Sequence, residues 1–132
     1  MKIIKIDATP KTPRVLFDAS KGHIEIRGRS IPENSIEFYK PLLDWLEEYG
    51  NAPQPKTKAE IQLEYFNTSS SKCILDVFKA LEDIHKKGKT ELKIHWYYEE
   101  DDEDMFEAGE DYQTIVTVPF EKISIESGDP II

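Results

Sequence analysis

Four consecutive hydroxyl side chains, Thr68, Ser69, Ser70 and Ser71, followed at once by Lys72, stand in the stretch YFNTSSSK, between an alternating apolar segment and a run with helical spacing. Hydroxyls so placed can cap a helix, seat a nucleophile, cradle a phosphate or accept one covalently. Capping needs no more than a side-chain oxygen of Asn67 or Thr68 on the N–H groups of the first turn. A phosphate-binding loop needs glycines for close backbone approach and a Gly-Lys-Ser/Thr ending, and NTSSSK has neither. A serine nucleophile needs a base, but His23, His85 and His95 fall in a hairpin, a helix end and a strand, and no nucleophile-elbow glycines flank the serines.

A small hydrolase built on Ser69 or Ser70 therefore depends on folding to bring a histidine within reach. A module that binds a nucleotide or other small ligand, without covalent switching, is a further alternative. The histidines, acids and single cysteine show no zinc-ligand spacing, and the acidic run lacks the Asp/Asn alternation and glycine of a calcium loop. No metal and no cofactor is expected. Cys73 opens an apolar stripe and reads as packing.

The elements that must position the hydroxyl run follow from periodicity. Residues 59–66, AEIQLEYF, alternate so that Ile61, Leu63 and Tyr65 share one face. From Cys73 the period changes: Ile74, Val77, Phe78, Leu81 and Ile84 form a helical stripe that Gly88 closes. ELKIHWYY then alternates again, so strand, helix and strand make one right-handed crossover with parallel strands. The run thus starts a helix just beyond the carboxyl end of a strand, where unpaired N–H groups and the positive end of the dipole favour an anion.

Upstream, RVLFDASKGHIEIRG reads as an N-terminal hairpin of strands 14–18 and 23–27. IPENSIEFYKPLLDWLEEYG reads as a helix capped at Asn34 or Ser35, which Pro41 either kinks or begins. Residues 1–12 read as an extended arm and 51–58 as a surface connection. The acidic stretch carries Met105, Phe106, Ala108 and Tyr112, enough for a short amphipathic helix, and TIVTVPFEKISI supplies one or two final strands. The expected architecture is α/β (α+β): a mixed sheet in one domain, 1–132, with helices mainly on one face and water reaching much of the other.

Charge limits the partners. The 132-residue chain has a net charge of -9. Nine acids and no base fall in residues 99–111, EEDDEDMFEAGED, which leaves the remainder balanced at 17 of each sign. Such a surface does not suit nucleic acid, whose phosphates need a basic face. The acidic segment reads as a solvated face that could also steer a basic partner. One cysteine, no apolar run long enough for a bilayer and no leader pattern in MKIIKIDATP fit a reducing cytoplasm without direct membrane insertion.

Three segments in this order and spacing, GRSIPENS (28–35), YFNTSSSK (65–72) and HWYYEEDDEDMFEAGED (95–111), resemble the SiaC-type bacterial regulatory phosphoproteins, over Thr9 to about Ile125. The resemblance implies a STAS-like fold and no enzymatic activity. It implies that Thr68 is phosphorylated by a serine/threonine kinase with a histidine-kinase-like ATPase domain and dephosphorylated by a PP2C-type phosphatase. It also implies that the unmodified form binds a target, a diguanylate cyclase in the best-known systems, promoting cyclic-di-GMP synthesis. Ile31 departs from the pattern, where an aromatic residue is expected before Pro32. Around Thr68, the residues Asn67, Ser69, Ser70 and Lys72 form the expected phosphosite environment, with Lys72 one turn on to pair with the phosphate. Pro32, Glu33 and Asn34, at the same end of the sheet, are expected to contact the partner.

Overall fold

The computed structural model describes residues 1–126. Its sheet has six strands in chain order: β1 (Ile4–Ile6), β2 (Arg14–Asp18), β3 (His23–Ser30), β4 (Lys56–Phe66), β5 (Glu91–Glu99) and β6 (Phe120–Ile125). The helices α1 (Ser35–Tyr49), α2 (Thr68–Lys86) and α3 (Glu103–Ile115) lie between β3 and β4, β4 and β5, and β5 and β6. Pairing is antiparallel from β1 to β3 and parallel from β3 to β6.

The expected hairpin is β2–β3. Its turn is set by Asp18, whose Oδ1 accepts from Ser20 N at 3.0 Å and Ser20 Oγ at 2.7 Å, and by Gly22 at φ +61. Two expectations change in extent. The arm at 1–12 holds β1, which pairs Ile4–Ile6 with Phe17–Val15 and puts two more apolar side chains on the helix-covered face. The single expected crossover is one of three, because β3 and β6 also join parallel neighbours. Helix α1 starts at Ser35 and runs through Pro41.

Alternation assigns the faces. Val15, Phe17, Ile24, Ile26, Ala59, Ile61, Leu63, Leu92, Ile94 and Trp96 are all buried and in matching register, and they meet the apolar stripes of the helices. Tyr65 breaks the expected pattern. Gly28 pairs with Leu63 but Arg29 pairs with Tyr65, so β4 carries one extra residue there. A one-residue slip moves every later side chain to the opposite face. Tyr65 accordingly turns outward, 52% exposed with the Arg29 guanidinium over its ring, while Phe66 turns in against Trp96 and Tyr112.

The face without helices is drier than expected. Glu25, Arg27, Glu60 and Gln62 are buried there by lying across one another. Glu25 meets Arg14 at 2.7 Å, His23 at 3.0 Å and Arg27 at 3.4 Å, and Arg27 donates to Gln62 at 2.6 Å. Glu60 meets Lys58 at 3.0 Å and His95 at 3.3 Å. Burial alone would push both carboxyls up. The Arg14 and His23 contacts and the Arg27 charge reverse this for Glu25, and the Tyr97 hydroxyl and Lys58 reverse it for Glu60, so both titrate below the ordinary glutamate range.

A carboxyl whose folded value is depressed adds stability that is present above its unfolded value and is lost as pH falls through the folded one. The urea midpoint should therefore be level near neutrality and fall as the pH drops below about 4.3. Glu60→Gln should flatten that decline, as unfolding curves at pH 7 and pH 3 will show.

Candidate functional site

Both helices that flank the hydroxyl run begin in the same way. Asn67, with extended backbone, accepts from Ser70 N on its Oδ1 at 2.9 Å and so caps α2. Asn34 accepts from Glu37 N at 3.0 Å and caps α1. Of the alternatives for each cap, asparagine takes both places, which leaves Thr68 and Ser35 as the first helical residues.

The chain brings these two starts together because β3 and β4 are neighbours and each leads directly into a helix. Asn67 N donates to Ser30 O at 3.1 Å, so the end of β4 is tied to the end of β3. Ser35 Oγ lies 2.7 Å from Ser69 Oγ, and Ser69 Oγ donates to Asn67 Oδ1 at 3.2 Å. Below them, Ser30 Oγ donates to Ser70 Oγ at 2.9 Å and lies 2.6 Å from the Tyr39 hydroxyl. Burial pushes the Tyr39 phenol up to about 12, so it keeps its proton. Because the Ser30 proton is directed at Ser70, Tyr39 is the donor in the first link.

The four hydroxyls therefore have different fates. Ser70 is buried in the chain just described, Ser69 is exposed but held by Ser35 and Asn67, and Ser71 Oγ donates to Thr68 O at 2.7 Å. Thr68 is exposed, and its hydroxyl has no hydrogen-bond partner among the described residues. Lys72 is exposed one turn along, and the first turn of α2 holds no acid. An oxygen here is open to a transferring enzyme, and negative charge added to it would meet the positive ends of two helices.

Removing the Ser70 hydroxyl leaves the Ser30 donor without an acceptor in a dry site, a loss of about 1–3 kcal/mol. Ser70→Ala should lower the urea-unfolding free energy by that amount. Adding Ser30→Ala should cost less than the sum of the two single changes, since they remove the same bond.

The RSIPENS segment is brought to the same end as expected. Glu33 is exposed and Pro32 half-buried, while the Asn34 side chain is occupied by its cap. The sequence pattern did not mark Ile36, which follows Ser35 and is 76% exposed, and it marked Tyr112 only as an apolar residue of the acidic helix, whereas its hydroxyl donates to Ser71 O at 2.9 Å and braces the first turn of α2 from α3. No histidine reaches the run. His23 is engaged by Glu25, His95 lies between Glu60 and Glu121, and His85 sits in the last turn of α2.

The acidic segment divides as its spacing suggests. Glu99 ends β5, Asp102 caps α3 by accepting from Met105 N at 3.0 Å, and Met105 and Tyr112 are buried. Among the described residues no cluster of histidine, cysteine or acids is arranged to hold a metal ion, and no helix is long and apolar enough to cross a membrane.

Comparison with known proteins agrees over nearly the whole chain. The family model described as SiaC family regulatory phosphoprotein matches residues 6–125. An uncharacterised protein of Pseudomonas aeruginosa strain UCBPP-PA14 is 31% identical over 120 residues, covering 91% of this chain and 94% of its own. The crystal structure of apo-SiaC from Pseudomonas aeruginosa is 30% identical, with a TM-score of 0.84 over 93% of this chain and 99% of that one. SiaC in a crystal structure with the diguanylate cyclase SiaD, whose activator it is, is also 30% identical, with a TM-score of 0.86 over 92% and 99%.

Proposed function

The chain belongs to the SiaC family of regulatory phosphoproteins, and from that premise we propose that it is a non-enzymatic partner switch controlled by reversible phosphorylation of Thr68. The observation that carries the proposal is the contrast within the hydroxyl run: Thr68 alone combines exposure with an unengaged oxygen. In the unmodified state the surface formed by Thr68, Pro32, Glu33 and the α1 start docks on a diguanylate cyclase and promotes cyclic-di-GMP synthesis, as the activator role of the similar SiaC suggests. A serine/threonine kinase with a histidine-kinase-like ATPase domain adds the phosphate, a PP2C-type phosphatase removes it, and the cycle runs in the cytoplasm.

Chemistry at the site supports this order of events. A phosphate on Thr68 adds about -1.5 to -2 charges at pH 7. At the start of α2 that charge is favoured by the helix dipole, worth about 0.3–1 kcal/mol per charge at an exposed site, and Lys72 stands one turn away to pair with it. The domain itself therefore stays folded, and the change falls on the partner contact. Incubation with the cognate kinase and ATP, followed by peptide mapping by mass spectrometry, should place a single phosphate on Thr68. Modification confined to Ser69 or Ser71, or none at all, would overturn the assignment.

A further inference from the structure

The helix-free face carries a second arrangement, at the strand ends opposite those leading to Thr68. Register places His23 opposite Lys58, and Lys58 opposite Lys93, so three basic residues form one row across neighbouring strands. Like charges directly opposite on a ladder cost stability. Glu60 offsets Lys58 at 3.0 Å, and the His23 ring lies against Glu25 at 3.0 Å. Lys93 is exposed and pairs with no carboxylate among the described residues.

The row borders a cleft of about 420 Å³ lined by Lys21, Lys56, Lys58 and Lys93, with Leu92 and Pro119 as apolar backing. That volume lies within the range of about 300–1,000 Å³ that small-molecule sites occupy. One acid, Glu91, also lines the cleft, against four lysines. The walls are fixed by backbone bonds: Lys58 N donates to Gly22 O at 2.8 Å, Glu91 N to Pro55 O at 2.8 Å and Ile94 N to Pro119 O at 2.9 Å. In a chain of net charge -9, concentrating four lysines around one cleft runs against the average surface.

We propose that this cleft binds a soluble small molecule carrying adjacent phosphate groups. Neighbouring strands are about 4.8 Å apart, so the Lys58 and Lys93 ammonium groups can each take one phosphate of a linked pair. The ligand would then relieve the opposition that the register creates. Lys58 and Phe66 lie at opposite ends of β4, roughly 25 Å apart along the strand, so occupancy of the cleft leaves the Thr68 surface open.

Calorimetric titration of the full chain at low salt with ATP, inorganic pyrophosphate and adenosine tests this, beside sedimentation with phosphatidylglycerol vesicles. Saturable binding of ATP and pyrophosphate, but not adenosine, is expected. Lys93→Gln should weaken it by about tenfold or more, the loss that follows from one charge-assisted hydrogen bond. The same variant should melt no lower than the parent, because it removes a like-charge opposition, and Thr68→Glu should bind the ligand unchanged. Absence of saturable binding, equal binding by Lys93→Gln, or attachment to vesicles alone would overturn the proposal, and none of these results bears on Thr68 as phosphoacceptor.

Discussion

Thr68→Glu should lose about a hundredfold in affinity for the proposed cyclase partner, while Thr68→Ala keeps the parental affinity and both variants unfold at the parental urea midpoint. A hundredfold corresponds to about 2.7 kcal/mol. Leaving one charge buried and unpaired in an interface costs about 3–5 kcal/mol, enough to cover that loss even after partial solvation. Stability should hold because Thr68 is exposed, its hydroxyl bonds to nothing that the alanine would orphan, and a carboxylate at the first position of α2 faces the favourable end of the dipole.

Ser69→Glu provides the contrast. Its hydroxyl is held by Ser35 and Asn67, so the larger acid must break the tie between the two helix starts, and its urea midpoint should fall. Titration of the three variants and the parent against the cyclase, with unfolding curves alongside, separates a docking effect from a folding one. Equal affinities for Thr68→Ala, Thr68→Glu and parent would sink the switch.

Much of this site was legible because it depends on short-range chemistry. Asparagine before a hydroxyl run, the change from a period of two to one of 3.6 at Cys73, and a strand on either side place Thr68 at a helix start without reference to the rest of the fold. What escaped depends on contacts between segments far apart in the chain. The bulge opposite Gly28 that turns Tyr65 outward belongs to the pairing of β3 with β4, and no alternation within residues 59–66 contains it. Ile36 stands outside the buried stripe of Tyr39, Leu42, Leu46 and Tyr49, and its exposure beside the start of α2 depends on how the two helix starts meet, which periodicity does not carry. Ser30 and Ser35 look like ordinary turn and cap residues until Ser70 and Ser69 arrive from 40 and 34 positions away. The dry polar face is of the same kind: alternation places Glu25, Arg27, Glu60 and Gln62 on one side, but only the strand order shows that they cover one another.

Trp96→Ala should be the most damaging single change in the core, lowering the unfolding free energy by about 3–5 kcal/mol out of a total of about 5–15. Its side chain is fully buried among Phe66, Phe78, Tyr112 and Phe120, and its Nε1 donates to Met105 O at 3.0 Å. Helix α3 is fitted closely to that ring, since a Cβ at Gly109 would fall 2.6 Å from Trp96 Cδ1. Alanine at 96 therefore opens a cavity beneath α3 and removes the bond that seats its first turn.

The effect should reach the first turn of α2, beside Thr68, because α3 holds the start of α2 through the Tyr112 hydroxyl on Ser71 O. Burial pushes the Tyr112 phenol up, so it stays a donor at neutral pH. Tyr112→Phe isolates that link: it keeps the ring against Phe78 and costs about 0.5–1.5 kcal/mol. In amide hydrogen exchange, Trp96→Ala should speed exchange throughout α3 and the first turn of α2, whereas Tyr112→Phe should speed it near Ser71 alone. Protection unchanged at residues 70–72 in both variants would show that the α2 start is held by Asn67 and the serines without help from α3.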